Sequence, residues 1–261
     1  MYKVISSSVL TRQNTLLPII ISKTEGGRYM NVLITGATRG LGFFLAKRYL
    51  EAGNKVFAGT RQGNKEDLLG LKEIYGENLE LITLEVDNTA SVTEAAAAVK
   101  ELTDHIDIII NSAAIHADSS FDILEETRLD DCLPVYNINS VGPLRVVKAF
   151  LPLLKKSASA GIYNISSESG SIGMAKRVKE FDYCMSKAAL NMAVKLLSNY
   201  LKEDKIPVFA IQPGWMRTDM GGPNADLDPY ETADKLIKLF ASLTADSEGI
   251  FVDNEGNVLP W

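Results

Sequence analysis

From Met30 onward, short runs of β-branched and other apolar residues alternate with longer amphipathic stretches, the pattern of repeated βαβ units built around a parallel sheet. The runs predict strands at Asn31–Thr35, Lys55–Thr60, Leu79–Leu84, Ile106–Asn111, Gly161–Ser166, Pro207–Gln212 and, briefly, Ile250–Val252. Between them, helical spacing of apolar positions covers Leu41–Ala52, Lys65–Tyr75, Ser91–Leu102, Asp130–Lys156, Tyr183–Leu201 and Thr232–Ser242. The expected fold is α/β: a doubly wound parallel sheet of about seven strands with helices on both faces. No linker divides the series, so residues 30–261 read as a single domain.

Residues 1–29 do not join this pattern. They carry Lys3, Arg12, Lys23 and Arg28, one acidic residue and several Ser and Thr, a composition faintly like a transit peptide. They read as an N-terminal arm or as a misassigned start. The second is favoured, because the first strand follows Met30 at once and Glu25-Gly26-Gly27 is what a translated purine-rich ribosome-binding sequence would encode.

Charge narrows the partners. Lys and Arg number 27 against 33 Asp and Glu, for a formal net charge of −6 over 261 residues. Sequence-independent nucleic-acid binding needs a surplus of cations to replace phosphate counterions, so no nucleic-acid partner is expected. The apolar stretches, such as Leu16–Ile21 with Pro18 inside it, fall short of the roughly 20 residues that span a bilayer, and no membrane-spanning helix is expected. Cys132, Cys184, His105 and His116 show no zinc-like or disulfide spacing. No metal site is expected, the cysteines read as small buried hydrophobes, and a reducing, cytoplasmic compartment fits.

The candidate chemistry starts where the first strand runs into Thr35-Gly36-Ala37-Thr38-Arg39-Gly40-Leu41-Gly42 and then a helix. Glycines at such a turn let the backbone approach a pyrophosphate, whose charge is met by the helix N-terminus. Tyr183 and Lys187 are four residues apart on a predicted helix and so share one face. A free phenol, with a pKa of about 10, exchanges protons poorly at neutral pH, and a neighbouring ammonium is expected to lower it. Tyr183 would then be general acid to a carbonyl oxygen or general base to an alcohol. Ser167, at the end of the fifth strand, would hydrogen-bond the substrate oxygen and stabilise its developing charge.

These motifs resemble the short-chain dehydrogenase/reductase family, with a match that extends from Met30 to the C-terminus and implies a Rossmann-type sheet. Ile110-Asn111-Ser112-Ala113-Ala114 stands where the family has Asn-Asn-Ala-Gly, with Asn111 and Ala113 matching and Ser112 and Ala114 departing. Tyr183-Cys184-Met185-Ser186-Lys187 supplies the family's YxxxK. By this resemblance Asn139, Ser167, Tyr183 and Lys187 form the catalytic tetrad. Asn139 would hold a helix kink and a water linking the lysine to solvent, and Lys187 would also hold the ribose. Gln212-Pro213-Gly214-Trp215-Met216-Arg217-Thr218 resembles the PGxxxT segment, so Pro213, Gly214, Met216 and Thr218 would lie under the nicotinamide. Asp219–Tyr230 is placed where relatives carry a substrate lid. Glu85 and Val86 would lie beside the adenine.

NADP(H) is favoured over NAD(H). An acidic residue at the end of the second strand would bind free ribose hydroxyls and repel a 2′-phosphate, but here the strand ends Ala58-Gly59-Thr60-Arg61. Arg61 can pair with the phosphate, and Arg39 can reach the same region. Ser169-Gly170-Ser171-Ile172, Gly214–Gly222 and the terminal Leu259-Pro260-Trp261 are similar to the C-factor-like and sniffer-like carbonyl reductases. Met174–Asp182 departs from them, with Lys176, Arg177, Lys179, Glu180 and Asp182 where relatives have small residues. The leading expectation is an NADPH-dependent reductase of a small aldehyde or ketone, as a homodimer or homotetramer. The rival is a dinucleotide-binding, C-factor-like signalling protein with little turnover. A nucleotide-sugar epimerase or dehydratase is disfavoured by the glycine spacing and the short chain.

Overall fold

The computed structural model describes residues 29–61 and 65–261. The arm or misassigned start expected over residues 1–29 lies, Tyr29 apart, outside the described residues. Strands β1 (Asn31–Thr35), β2 (Lys55–Thr60), β3 (Leu79–Thr83), β4 (Ile108–Asn111), β5 (Gly161–Ile165), β6 (Val208–Gln212) and β7 (Phe251–Asp253) form one seven-stranded sheet. Their order is β3-β2-β1-β4-β5-β6-β7, and every pair is parallel. Helices α1 (Gly40–Glu51), α2 (Glu66–Tyr75), α3 (Thr89–Leu102), α4 (Cys132–Tyr136), α5 (Gly142–Leu154), α6 (Phe181–Tyr200) and α7 (Pro229–Ser242) alternate with the strands.

Successive strand side chains point to opposite faces, and each face meets its own helices. Val32, Ile34, Val56 and Ile211 pack with Leu45 of α1, Leu68 of α2 and Leu236 of α7. Leu33, Phe57, Ile109 and Ile162 pack with Val99 of α3, Phe150 of α5 and Val194 of α6. Covered on both sides, the strands are apolar almost throughout. β1 has β2 on one side and β4 on the other, so the chain winds away from the centre in both directions. The crevice this leaves at the strands' carboxyl ends is where open α/β sheets bind ligands.

Two expectations need correction. Asp130–Lys156, expected as one helix, is instead α4, a π turn over Asn137–Val141, and α5. Pro143 has no N–H to offer the carbonyl of Asn139 four residues back, and the helix accommodates this with a wider turn. The polar segment expected as a lid to Tyr230 ends earlier, because α7 starts at Pro229. There the Asp228 carboxylate accepts the backbone N–H groups of Tyr230 (2.9 Å) and Glu231 (3.2 Å) as an N-cap. Among the described residues no helix is long and apolar enough to cross a membrane.

Candidate active site

At the end of β1 the backbone turns so tightly that side chains are excluded. Gly36 has φ 66° and Gly40 φ 56°, in the left-handed region that favours glycine. A Cβ at Gly36 would lie 2.7 Å from the Ala113 Cα, and one at Gly42 would lie 2.3 Å from the Gly36 carbonyl oxygen. Thr35 ties this turn to the loop after β4, its hydroxyl accepting the N–H groups of Ser112 (3.1 Å) and Ala113 (3.2 Å). Arg39 leads extended into α1 without a side-chain cap, and the first turn of α1 carries no acid. Helix amides without a cap, the positive end of the dipole and a wall of bare backbone fit a dinucleotide pyrophosphate. Thr38, Leu41 and Gly42 belong to the same cradle.

The loop after β6 closes over this turn, with the Thr218 methyl 3.6 Å from where a Gly40 Cβ would stand. Thr218 accepts the Gly221 N–H at 3.2 Å, and the Thr218 N–H donates to the Met216 carbonyl at 2.9 Å. Pro213 is buried and Gly214 adopts φ 91°. Arg39 forms an exposed ion pair with Asp219 at 3.0 Å. Arg61 is exposed just past the end of β2, the strand that pairs with β1. Asn111 donates to the Asn164 side chain at 2.9 Å, while its own Oδ1 is buried without a hydrogen-bond partner. Val86 is buried against the start of α5, and Glu85 precedes it with its N–H on the Ser91 hydroxyl.

The expected tetrad gathers at the carboxyl ends of β4 and β5. Ser167 lies beside the Tyr183 phenol, near enough for its hydroxyl to pull on the phenol's pKa, and Lys187 Nζ lies 5.4 Å from the Tyr183 ring centroid. Asn139 sits in the π turn, taking the Ile115 N–H (2.9 Å) on Oδ1 and donating to the Ile115 carbonyl (2.7 Å) and the Ser186 hydroxyl (3.0 Å). It therefore knits the loop after β4 to the turn of α6 between Tyr183 and Lys187.

The electrostatics correct one expectation. Lys187 is 2% exposed and donates to the Ile165 carbonyl at 2.7 Å, and burial lowers its pKa to about 7. The Tyr183 phenol is not lowered: burial and the nearby Glu168 carboxylate raise it well above its ordinary value, against opposing pulls from the Ser167 hydroxyl and the Arg177 charge. A lysine so desolvated is a weak source of positive charge for its neighbour.

Glu168 and Arg177 were not singled out as site residues by sequence reasoning. Glu168 accepts from Ser167 at 2.9 Å and pairs with Arg177 at 2.5 Å. The signals were an acid beside the expected serine and a charged run before the tyrosine. His116 contacts the Ala117 carbonyl (3.1 Å) and the edge of Phe121 (ring centroids 5.4 Å apart), outside the tetrad's own bonds. Cys132 and Cys184 are free and only partly buried, with thiol pKa values raised chiefly by burial.

A family model described as short chain dehydrogenase matches residues 30–227. The C-signal of Myxococcus xanthus is 33% identical over 166 residues, 64% of this chain and 99% of that protein. The structure of the NADPH-bound carbonyl reductase from chicken fatty liver is 34% identical with a TM-score of 0.81, covering 90% of this chain and 100% of that one. The carbonyl reductase Sniffer of D. melanogaster is 30% identical with a TM-score of 0.84, at the same coverage.

Proposed function

The chain belongs to the short-chain dehydrogenase family, and from that premise we propose that it is an NADPH-dependent reductase of aldehydes or ketones. The observation that carries this reading is the convergence of Ser167, Tyr183 and the buried Lys187 on the sheet edge that holds the glycine cradle. When bound, the reduced nicotinamide supplies hydride to the carbonyl carbon. Tyr183, its phenol kept protonated by a raised pKa, gives its proton to the carbonyl oxygen. Lys187, with a pKa of about 7, holds a proton part of the time at neutral pH and returns it to the tyrosine. Asn139 orients the helix that carries both.

Preference for NADPH is supported by Arg61 and by the lack of an acid at the end of β2, with Arg39 free to exchange Asp219 for a phosphate. The chicken-liver relative has NADPH bound. We assign the protein to the cytoplasm. A second reading, a dinucleotide-binding protein with little turnover, draws on the relative named C-signal. The two are separated by NADPH and NADH consumption against a panel of aldehydes, diketones and quinones, for wild type and Tyr183→Phe. Turnover with NADPH that the variant loses while still binding cofactor supports the reductase; equal binding without any turnover supports the rival.

A further inference from the structure

Ser167 has one hydroxyl proton and two lone pairs, and the structure commits the proton and one lone pair. One lone pair accepts the Ser169 N–H at 3.1 Å. The proton has two acceptors in reach, Glu168 Oε2 at 2.9 Å and the Ser169 hydroxyl at 3.1 Å. The carboxylate is nearer and charged, and charge-assisted bonds are about twice as strong as neutral ones, so it takes the proton.

Glu168 is itself fixed. Its other oxygen pairs with Arg177 at 2.5 Å, and Arg177 also pairs with Glu180. Burial works against ionisation of Glu168, but the bonds from Arg177 and Ser167 outweigh it and hold the carboxyl below its ordinary range. The strap bearing Arg177 is pinned at both ends. Gly173 N–H donates to the Trp261 carbonyl at 2.7 Å, and Glu180, in a left-handed conformation (φ 62°) at the start of α6, donates its N–H to the Ser120 carbonyl at 2.8 Å.

Resting on the reading that Ser167 and Tyr183 face the carbonyl oxygen, we propose that Glu168 is a positioning residue that withholds the Ser167 proton from substrate, and that Arg177 sets how firmly. An arriving carbonyl is a neutral acceptor and must displace a carboxylate to be bound by Ser167. Arg177 draws charge from that carboxylate and loosens its hold. Removing the acid and removing the arginine therefore act in opposite directions, whereas two parts of a merely structural clamp would act alike.

The test is steady-state reduction of a neutral aldehyde by wild type, Glu168→Gln and Arg177→Gln, with NADPH affinity and thermal midpoint measured alongside. The amide keeps a neutral acceptor in the same place, so Glu168→Gln raises kcat/KM about five-fold, chiefly through a lower KM. Arg177→Gln lowers kcat/KM by a similar factor. Glu168→Ala, which removes the acceptor outright, moves further in the direction of Glu168→Gln and serves if the glutamine variant does not fold. Active wild type with both glutamine variants slower, or with Glu168→Gln unchanged, overturns this inference alone. No turnover by any of the four proteins, with NADPH bound, overturns the proposed reductase and this inference together.

Discussion

Replacing Lys187 by Met in the cofactor-free protein should raise its stability at neutral pH. Burial lowers the lysine pKa from 10.5 to about 7, a depression of about 3.5 units, and each unit corresponds to about 1.4 kcal/mol. The folded state therefore carries a cost of about 4 to 5 kcal/mol at pH 7, relative to a group that could stay neutral in both states. Against this, methionine leaves the Ile165 carbonyl without the 2.7 Å bond from Nζ, a loss of about 1–3 kcal/mol for a buried acceptor. The net expectation is a gain of about 1–4 kcal/mol at pH 7.

The sign with pH follows from proton counting. Between the folded pKa near 7 and the unfolded 10.5, the unfolded chain binds more protons at this site, so wild-type stability rises with pH, by about 2 kcal/mol from pH 7 to pH 9. Lys187→Met removes that rise. Urea unfolding of both proteins at pH 7, 8 and 9, with midpoints converted through a common m-value, measures the difference in slope and cancels the carboxylate background. A wild-type slope no steeper than the variant's, or a variant less stable at pH 7, would refute the argument that Lys187 is held against its own charge.

Gly42→Ala puts a methyl 2.3 Å from the Gly36 carbonyl oxygen, so it should destabilise the protein by about 1–3 kcal/mol and weaken NADPH binding, read by thermal shift with and without cofactor. Arg61→Asp should reverse cofactor preference, lowering kcat/KM with NADPH and raising it with NADH, a change of at least about ten-fold in their ratio. Asn139→Ala breaks the bonds that join Ile115 to Ser186, and a cost of about 1–3 kcal/mol in urea unfolding is expected, with kcat falling as α6 loses its register. Neither glycine nor asparagine variant should change the far-ultraviolet circular dichroism of the folded protein.

Features whose cause is local were legible in the sequence. The strands show as apolar runs because both sheet faces are covered, and the glycine turn shows because Gly36 and Gly42 have no alternative to hydrogen at Cα. Tyr183 and Lys187 could be paired from spacing alone. Features whose cause is tertiary were not. The raised Tyr183 phenol depends on burial and on Glu168, fifteen residues earlier in the chain, and no periodicity reports either. The meeting of Arg177 with both Glu168 and Glu180 needs the strap to fold back across the site. The π turn lies between these cases: Pro143 was visible, but the helix pattern around it was strong enough to hide its effect.

The adjacency of β1 and β4 has a consequence for how this protein comes to be made. The glycine turn belongs to the first segment of the sheet to leave the ribosome, yet its far wall is Ala113, and the bonds from Thr35 that fix that wall span 77 and 78 residues. Closing a loop of that length must precede the reward of the contacts it allows. A nascent chain ending before β4 thus has the cradle's sequence without the cradle, and cofactor can recruit only molecules in which the centre of the sheet has already assembled. Cofactor supplied during refolding should accordingly slow unfolding while leaving the main folding step unchanged.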